Sequence, residues 1–273
     1  MIELKDVSKS YGPRRFSKQV VKACSFVIER NKFTVMIGPS GVGKSTLIRL
    51  IAGFEKPDSG QVFLDGAPIT GPGRDRLVMF QESALFPWMT TSENVMYGPR
   101  ARGEDPKEVQ SRSAALLARF GLRAFHEKYP SQLSGGMQRR AELARAMINE
   151  PALMILDEPF RGLDAMTKKL MLEDYSKRYE AAPRTNFFVT TDVDEAIFLA
   201  DRLLVMSHLP TRVEQVIEID LPRPRALGTV VSDDYANRIK SRVLSLLREA
   251  AMRSFAPRAS ALHTSADDEN ASR

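Results

Sequence analysis

A chain of 273 residues with 43% hydrophobic and 27% charged side chains carries enough apolar mass for a sizeable core and has the balance of an ordinary globular protein of one or two domains. No run reaches the roughly 18 apolar residues of a membrane-crossing helix, and Met1-Ile2-Glu3-Leu4-Lys5-Asp6 lacks the basic and apolar regions of a signal peptide, so a cytosolic protein is expected. The formal charge of +6 comes largely from residues 220–258, with eight Lys or Arg against four Asp or Glu, and without the interleaved aromatics of a single-strand-binding surface this reads as a solvated helix face, with no nucleic acid.

Residues 2–7 and 20–28 are apolar stretches of strand type, and Cys24, the single cysteine, reads as a small buried residue of the second. Residues 33–37 are continuously apolar, as in a strand buried on both faces. They lead into Gly38-Pro39-Ser40-Gly41-Val42-Gly43-Lys44-Ser45-Thr46, which fits GxxxxGK[ST], and a helix is expected over residues 46–52. The chemistry of such a loop is phosphate binding. Glycines free backbone N–H groups to cradle anionic oxygens, the helix lends its positive end, Lys44 meets the terminal phosphates and Ser45 ligates Mg²⁺. Ser59-Gly60 and Asp65-Gly66 bracket a short strand at 61–64 as hairpin turns, and another strand is expected at 77–80.

From Ser92 to about Asn149 the pattern turns helical, with Ala114, Leu117, Ala118 and Gly121 at helix spacings, as in an inserted helical subdomain. Within it, Leu133-Ser134-Gly135-Gly136-Met137-Gln138 offers a hydroxyl, two exposed backbone N–H groups and a helix start. It reads either as a serine N-cap or as a second anion site, and the latter suggests a dimer with nucleotide at the seam. A second buried strand at 153–156 ends in Asp157-Glu158, where Asp157 is placed to hold Mg²⁺ through water and Glu158 to polarise an attacking water. Strands follow at 187–190, 203–206 and 213–219, with a helix at 194–200. Leu221-Pro222-Arg223-Pro224-Arg225 breaks the pattern before an amphipathic helix at 235–250 and a polar tail expected to be disordered.

Together these segments resemble the nucleotide-binding subunits of ATP-binding cassette transporters over about residues 1–250. The resemblance implies ATP and Mg²⁺ as ligands, and hydrolysis at a site closed by two subunits, either a homodimer or a pairing with a second ATP-binding subunit. Position by position it implies that Tyr11 stacks on adenine, that Gln81 senses Mg²⁺ and the water, and that Asp164 in Phe160-Arg161-Gly162-Leu163-Asp164 crosses the dimer. It also implies that Ser134, Gly135, Gly136 and Gln138 approach the γ-phosphate held by the opposite subunit. Two places depart from the family. Arg161-Gly162 replaces a small Gly-Ala pair, and Thr191 stands where a histidine usually donates a hydrogen bond to the γ-phosphate. A threonine hydroxyl is shorter and uncharged, so slower hydrolysis is expected. Two readings stay open: a water or the Thr191 hydroxyl substitutes, or this is a degenerate, ATP-gated dimerisation or regulatory subunit that relies on a partner's intact site.

The stretches at 80–89, 194–202 and 221–225 are similar to the nitrate, sulfonate and taurine import branch. That likeness implies transmembrane permease subunits, indirectly a periplasmic solute-binding protein, and a place on the cytoplasmic face of the cell membrane. Leu85, Phe86, Pro87, Trp88 and Met89 read either as core or as a groove for a permease helix. The expected fold is α/β: a RecA-like P-loop NTPase core with a small antiparallel β subdomain (1–86 and 148–220), an inserted helical signature subdomain (87–147), a C-terminal helical extension (221–253) and a tail (254–273). A small-molecule kinase shares the phosphate loop but has no use for the Ser134 segment. DNA-repair cassettes separate their halves by long coiled coils, and none is present here.

Overall fold

The structure, a computed structural model, describes residues 1–255. Among these, a four-stranded sheet is built from β1 (Ile2–Tyr11), β2 (Lys18–Ile28), β4 (Ser59–Leu64) and β5 (Ala67–Pro68), in the order β2-β1-β4-β5 and antiparallel throughout. A six-stranded sheet has the order β10-β9-β3-β8-β7-β6, from β3 (Phe33–Ile37), β6 (Arg76–Met79), β7 (Leu153–Asp157), β8 (Thr185–Thr190), β9 (Arg202–Met206) and β10 (Val213–Glu218). It is parallel except for the β10 edge. The expected α/β core is therefore present.

The parallel strands read as unbroken apolar runs because both faces are covered. Phe33, Val35 and Ile37 pack into one hydrophobic cluster, with Phe188, Leu203 and Val205, while Met36 packs into a second with Phe187, Val189 and Leu204. The second cluster also takes Ile2, Leu4 and Val7 of the small sheet and the apolar side of α1 (Lys44–Ala52), so it lies between the two sheets. Cys24 is fully buried there, and burial pushes its thiol up to about 11.

Three helices stand between β6 and β7: α2 (Thr91–Ala101), α3 (Pro106–Arg119) and α4 (Gly135–Ile148). The expected helical pattern is present in α3, but of the four residues whose spacing suggests it only Leu117 lies on the buried face. Val109, Ser113, Leu116 and Leu117 are buried while Ala114 and Ala118 are exposed, and Gly121 lies beyond the helix with a left-handed φ of 66°. Asp65 and Gly66 do form a two-residue hairpin turn, with φ of 51° and 82° and Leu64 opposite Ala67. Ser59-Gly60 does not; it lies inside β4, where a side chain on Gly60 would strike the Asp6 carbonyl at the point where the β1–β4 register shifts.

After β7 come α5 (Ala165–Ala181) and, after β8, α6 (Val193–Leu199); the chain ends in α7 (Leu227–Ser232) and α8 (Asp234–Phe255). The basic excess near the C-terminus is not all solvated. Arg225 is buried and donates to Phe198 O at 3.0 Å and Ala200 O at 2.7 Å, and Arg223 donates to Leu199 O at 2.7 Å and to Asp201. These two guanidinium groups satisfy carbonyls at the C-terminal end of α6, where its dipole favours cations. The expectation of a disordered tail falls, beyond residue 255, outside the described residues.

Candidate nucleotide site

Parallel register brings the loops after β3, β8, β7 and β6 to one edge: Ile37 is level with Thr190, Asp157 with Val189, and Leu156 with Met79. That edge, at the carboxyl ends of the strands, is where open α/β sheets bind ligands. Gly38 to Gly43 follow β3, and Lys44 opens α1. Gly41 and Gly43 take left-handed φ of 77° and 98°, and a Cβ on Gly43 would meet Val20 Cγ1 at 2.6 Å, so the loop curls tightly only because that position has no side chain. Lys44 is 7% exposed, and its ammonium donates to Gly38 O and Pro39 O, both at 2.8 Å, bridging the loop from inside. Burial lowers its pKa, opposed by the charges of Glu158 and Asp157.

Ser45 Oγ donates to Asp157 Oδ2 at 3.0 Å. Burial raises the Asp157 pKa, with Glu158 adding to the rise and the Ser45 bond opposing it. Glu158, the next residue, sits at a left-handed φ of 46°, a conformation costly for a side-chain-bearing residue, and its N–H donates to Val189 O at 2.8 Å. Gln81 is exposed and shares a cavity with Ser45, Arg49, Phe80 and Asp157.

The sequence reading missed the residue that holds this edge together. Arg139, on α4 and 6% exposed, donates to Pro159 O at 2.8 Å, Phe80 O at 2.7 Å, Asp157 O at 3.0 Å and Glu158 O at 2.8 Å, and pairs with buried Glu142 at 3.1 Å. One guanidinium thus fixes the backbone of the carboxylate pair, of the residue after it and of the residue before Gln81. It also explains why β6 stops at Met79, since the Phe80 carbonyl bonds Arg139 instead of a strand. Glu142 in turn accepts from the Ala84 N–H. The signal in the sequence was an arginine directly after Gln138, but nothing there says which of Arg139 and Arg140 faces inward.

Other predicted residues lie apart from the phosphate loop's bonds. Ser134 caps α4, its Oγ accepting from Met137 N at 3.3 Å; Ser134 and Gly135 are exposed, and nothing lies within 4 Å of where a Gly135 side chain would begin. Gln138 donates to Pro130 O at 2.9 Å and Leu133 O at 3.3 Å, holding its own approach loop. Asp164 caps α5 through Thr167 N at 3.0 Å, and the Thr167 side chain, with that backbone N–H, holds its carboxyl below the usual range. Tyr11, half-exposed beside α1, donates to Glu55 Oε2 at 2.5 Å. Thr191 is exposed and shares a cavity with Ser40, Glu158, Arg161 and Lys168. Lys168 bridges Asp192 and Glu195, each at 2.7 Å.

The ABC transporter family model matches residues 21–161. An uncharacterized ABC transporter ATP-binding protein of Methanocaldococcus jannaschii is 39% identical over 228 residues, 84% of each chain. The chain belongs to the ABC transporter family. Within that family, the taurine import ATP-binding protein TauB of Pseudomonas aeruginosa is 38% identical over 257 residues, 94% of this chain and 96% of its own. The nitrate import ATP-binding protein NrtD of Synechocystis is 39% identical over 221 residues, 81% of this chain and 83% of its own. Among solved structures, the ATP-binding cassette MJ0796, described as a dimer in a post-hydrolysis state bound to ADP and Pi, superposes with a TM-score of 0.73 at 28% identity, covering 81% of this chain and all of that one.

Proposed function

We propose that this chain is the ATP-hydrolysing subunit of an importer for a small solute of the nitrate, sulfonate or taurine kind, acting through a separate permease at the cytoplasmic face of the membrane. The observation that carries the ATPase reading is the convergence of Lys44, Ser45, Asp157 and Glu158 at one strand edge, with Ser45 and Asp157 already bonded at 3.0 Å. A hydroxyl and a buried carboxylate are hard oxygen donors and fit Mg²⁺. Ser45 and Asp157 would hold Mg²⁺ together with the ATP phosphates, and the ion would supply positive charge against the phosphate oxygens.

In this reading Lys44 leaves the loop carbonyls for the phosphates, and the N–H groups of residues 38–46 cradle them. Tyr11 covers the adenine. Water adds its oxygen to the γ-phosphorus as the bond to the β–γ bridging oxygen breaks; ADP leaves with that electron pair, and the water proton passes through Glu158 to the released phosphate. Gln81 reports the site to the helical segment, which serves as the signature subdomain. The exposed start of α4 meets the γ-phosphate of a second subunit, and Asp164 lies at that seam. Trp88, 69% exposed beside Phe86 at 5.5 Å, is too open for a core residue, which supports a permease-facing surface. Thr191 alone favours the second reading, a degenerate subunit with little turnover. Phosphate release by the parent and by Glu158→Gln, with and without the permease, decides: activity lost in the variant supports the ATPase, and equal rates contradict it.

A further inference from the structure

We propose that Arg161 is the γ-phosphate cation of this chain, standing in for the group that Thr191 cannot supply. The inference rests on the hydrolytic reading above. Phe160 is 2% exposed and packs against Phe188 at 5.8 Å and Tyr175 at 6.3 Å, so the turn carrying Arg161 is anchored in the core. The Arg161 N–H donates to Glu158 O at 3.1 Å, which folds the turn back over the glutamate, and its guanidinium Nη1 lies 3.2 Å from Glu158 Oε2. Glu158 and Arg161 line one cavity with Ser40 of the phosphate loop and Thr191.

The cavity shared by Ser40, Glu158 and Thr191 contains two cations, Arg161 and Lys168. Lys168 is held by two carboxylates at 2.7 Å each. Arg161 has one, and its side chain is 61% exposed, so its pairing is weak and easily exchanged. A γ-phosphate entering past Ser40 presents more charge than one carboxylate and the planar oxygen pair that a guanidinium fork matches. Moving to it, Arg161 stabilises the charge that builds on the γ oxygens and frees Glu158 to accept the water proton. Without nucleotide the same pair keeps the base masked.

The test uses the full chain with its permease and four variants: Arg161→Gly, Arg161→Lys, Thr191→His, and Thr191→His in the Arg161→Gly background. Arg161→Gly is expected to lower kcat about a hundredfold, to raise KM for ATP about tenfold, and to reduce by about the same factor the preference for a non-hydrolysable ATP analogue over ADP in equilibrium titrations. Arg161→Lys should keep part of both. In the Arg161→Gly background, Thr191→His should restore rate and introduce a titration near about 6.5 that an arginine cannot give. Unchanged or raised kcat in Arg161→Gly with an unchanged analogue-to-ADP preference would overturn the proposal. If the parent and Glu158→Gln release no phosphate alike, the hydrolytic reading fails, and the analogue-to-ADP preference alone then decides for or against Arg161.

Discussion

The two sides of the site are built differently. On the phosphate-loop side, Lys44, Asp157 and Arg139 are buried and their polar groups bonded within the chain. On the other side, Ser134, Gly135, Arg161, Asp164 and Thr191 are exposed, and the bonds they make are short-range caps and turns. A buried network is rigid because any missing partner leaves a desolvated charge, whereas exposed groups exchange partners at little cost. In the proposed function the buried half holds nucleotide, and the exposed half is the surface that a second chain would complete.

The largest effect expected from that contrast is on stability. Arg139→Ala strands four carbonyls and the buried Glu142, and should cost about 3–5 kcal/mol in denaturant unfolding. Ser134→Ala, the loss of one exposed cap, should cost about 1 kcal/mol. Equal costs would erase the distinction between the two sides. Next, Lys44→Ala should weaken ATP binding on the order of a hundredfold in equilibrium titration, since charge-assisted bonds to the phosphates go with it. Unchanged affinity would move the nucleotide elsewhere.

The smallest effect sharpens the account of burial. Asp157 has a raised pKa in the fold, so its charged form is penalised there relative to the unfolded chain. Asp157→Asn keeps the acceptor for Ser45 and removes the charge; at neutral pH it should raise Tm by roughly 2–4 °C, while Mg²⁺-dependent nucleotide binding is lost. The advantage should shrink as pH falls through the raised pKa and vanish below the unfolded carboxylate value of about 3.9. A destabilised Asn variant at neutral pH would mean that the carboxylate is favourably paired already.

The parts legible in the sequence are those whose chemistry is local. A glycine-rich loop between an apolar strand and a helix, and two acids ending a second apolar strand, declare themselves because neighbouring residues do the work. Arg139, Arg223 and Arg225 were not legible: each bonds carbonyls supplied by distant segments, and an arginine on paper looks solvated. The spacing of Ala114 and Ala118 marked the helix but not its buried face, because alanine suits buried and exposed positions alike, and Ser59-Gly60 mimicked a turn because a bulge asks for the same left-handed glycine.

The central claim is that the exposed half is completed by a second copy. Size measurement of Glu158→Gln in ATP and Mg²⁺ tests it most directly, because that variant should bind nucleotide but not consume it. The account predicts a dimer that reverts to monomer when ATP is removed or when Ser134 is replaced by a bulky residue. A variant that binds ATP yet stays monomeric at high protein concentration would contradict it.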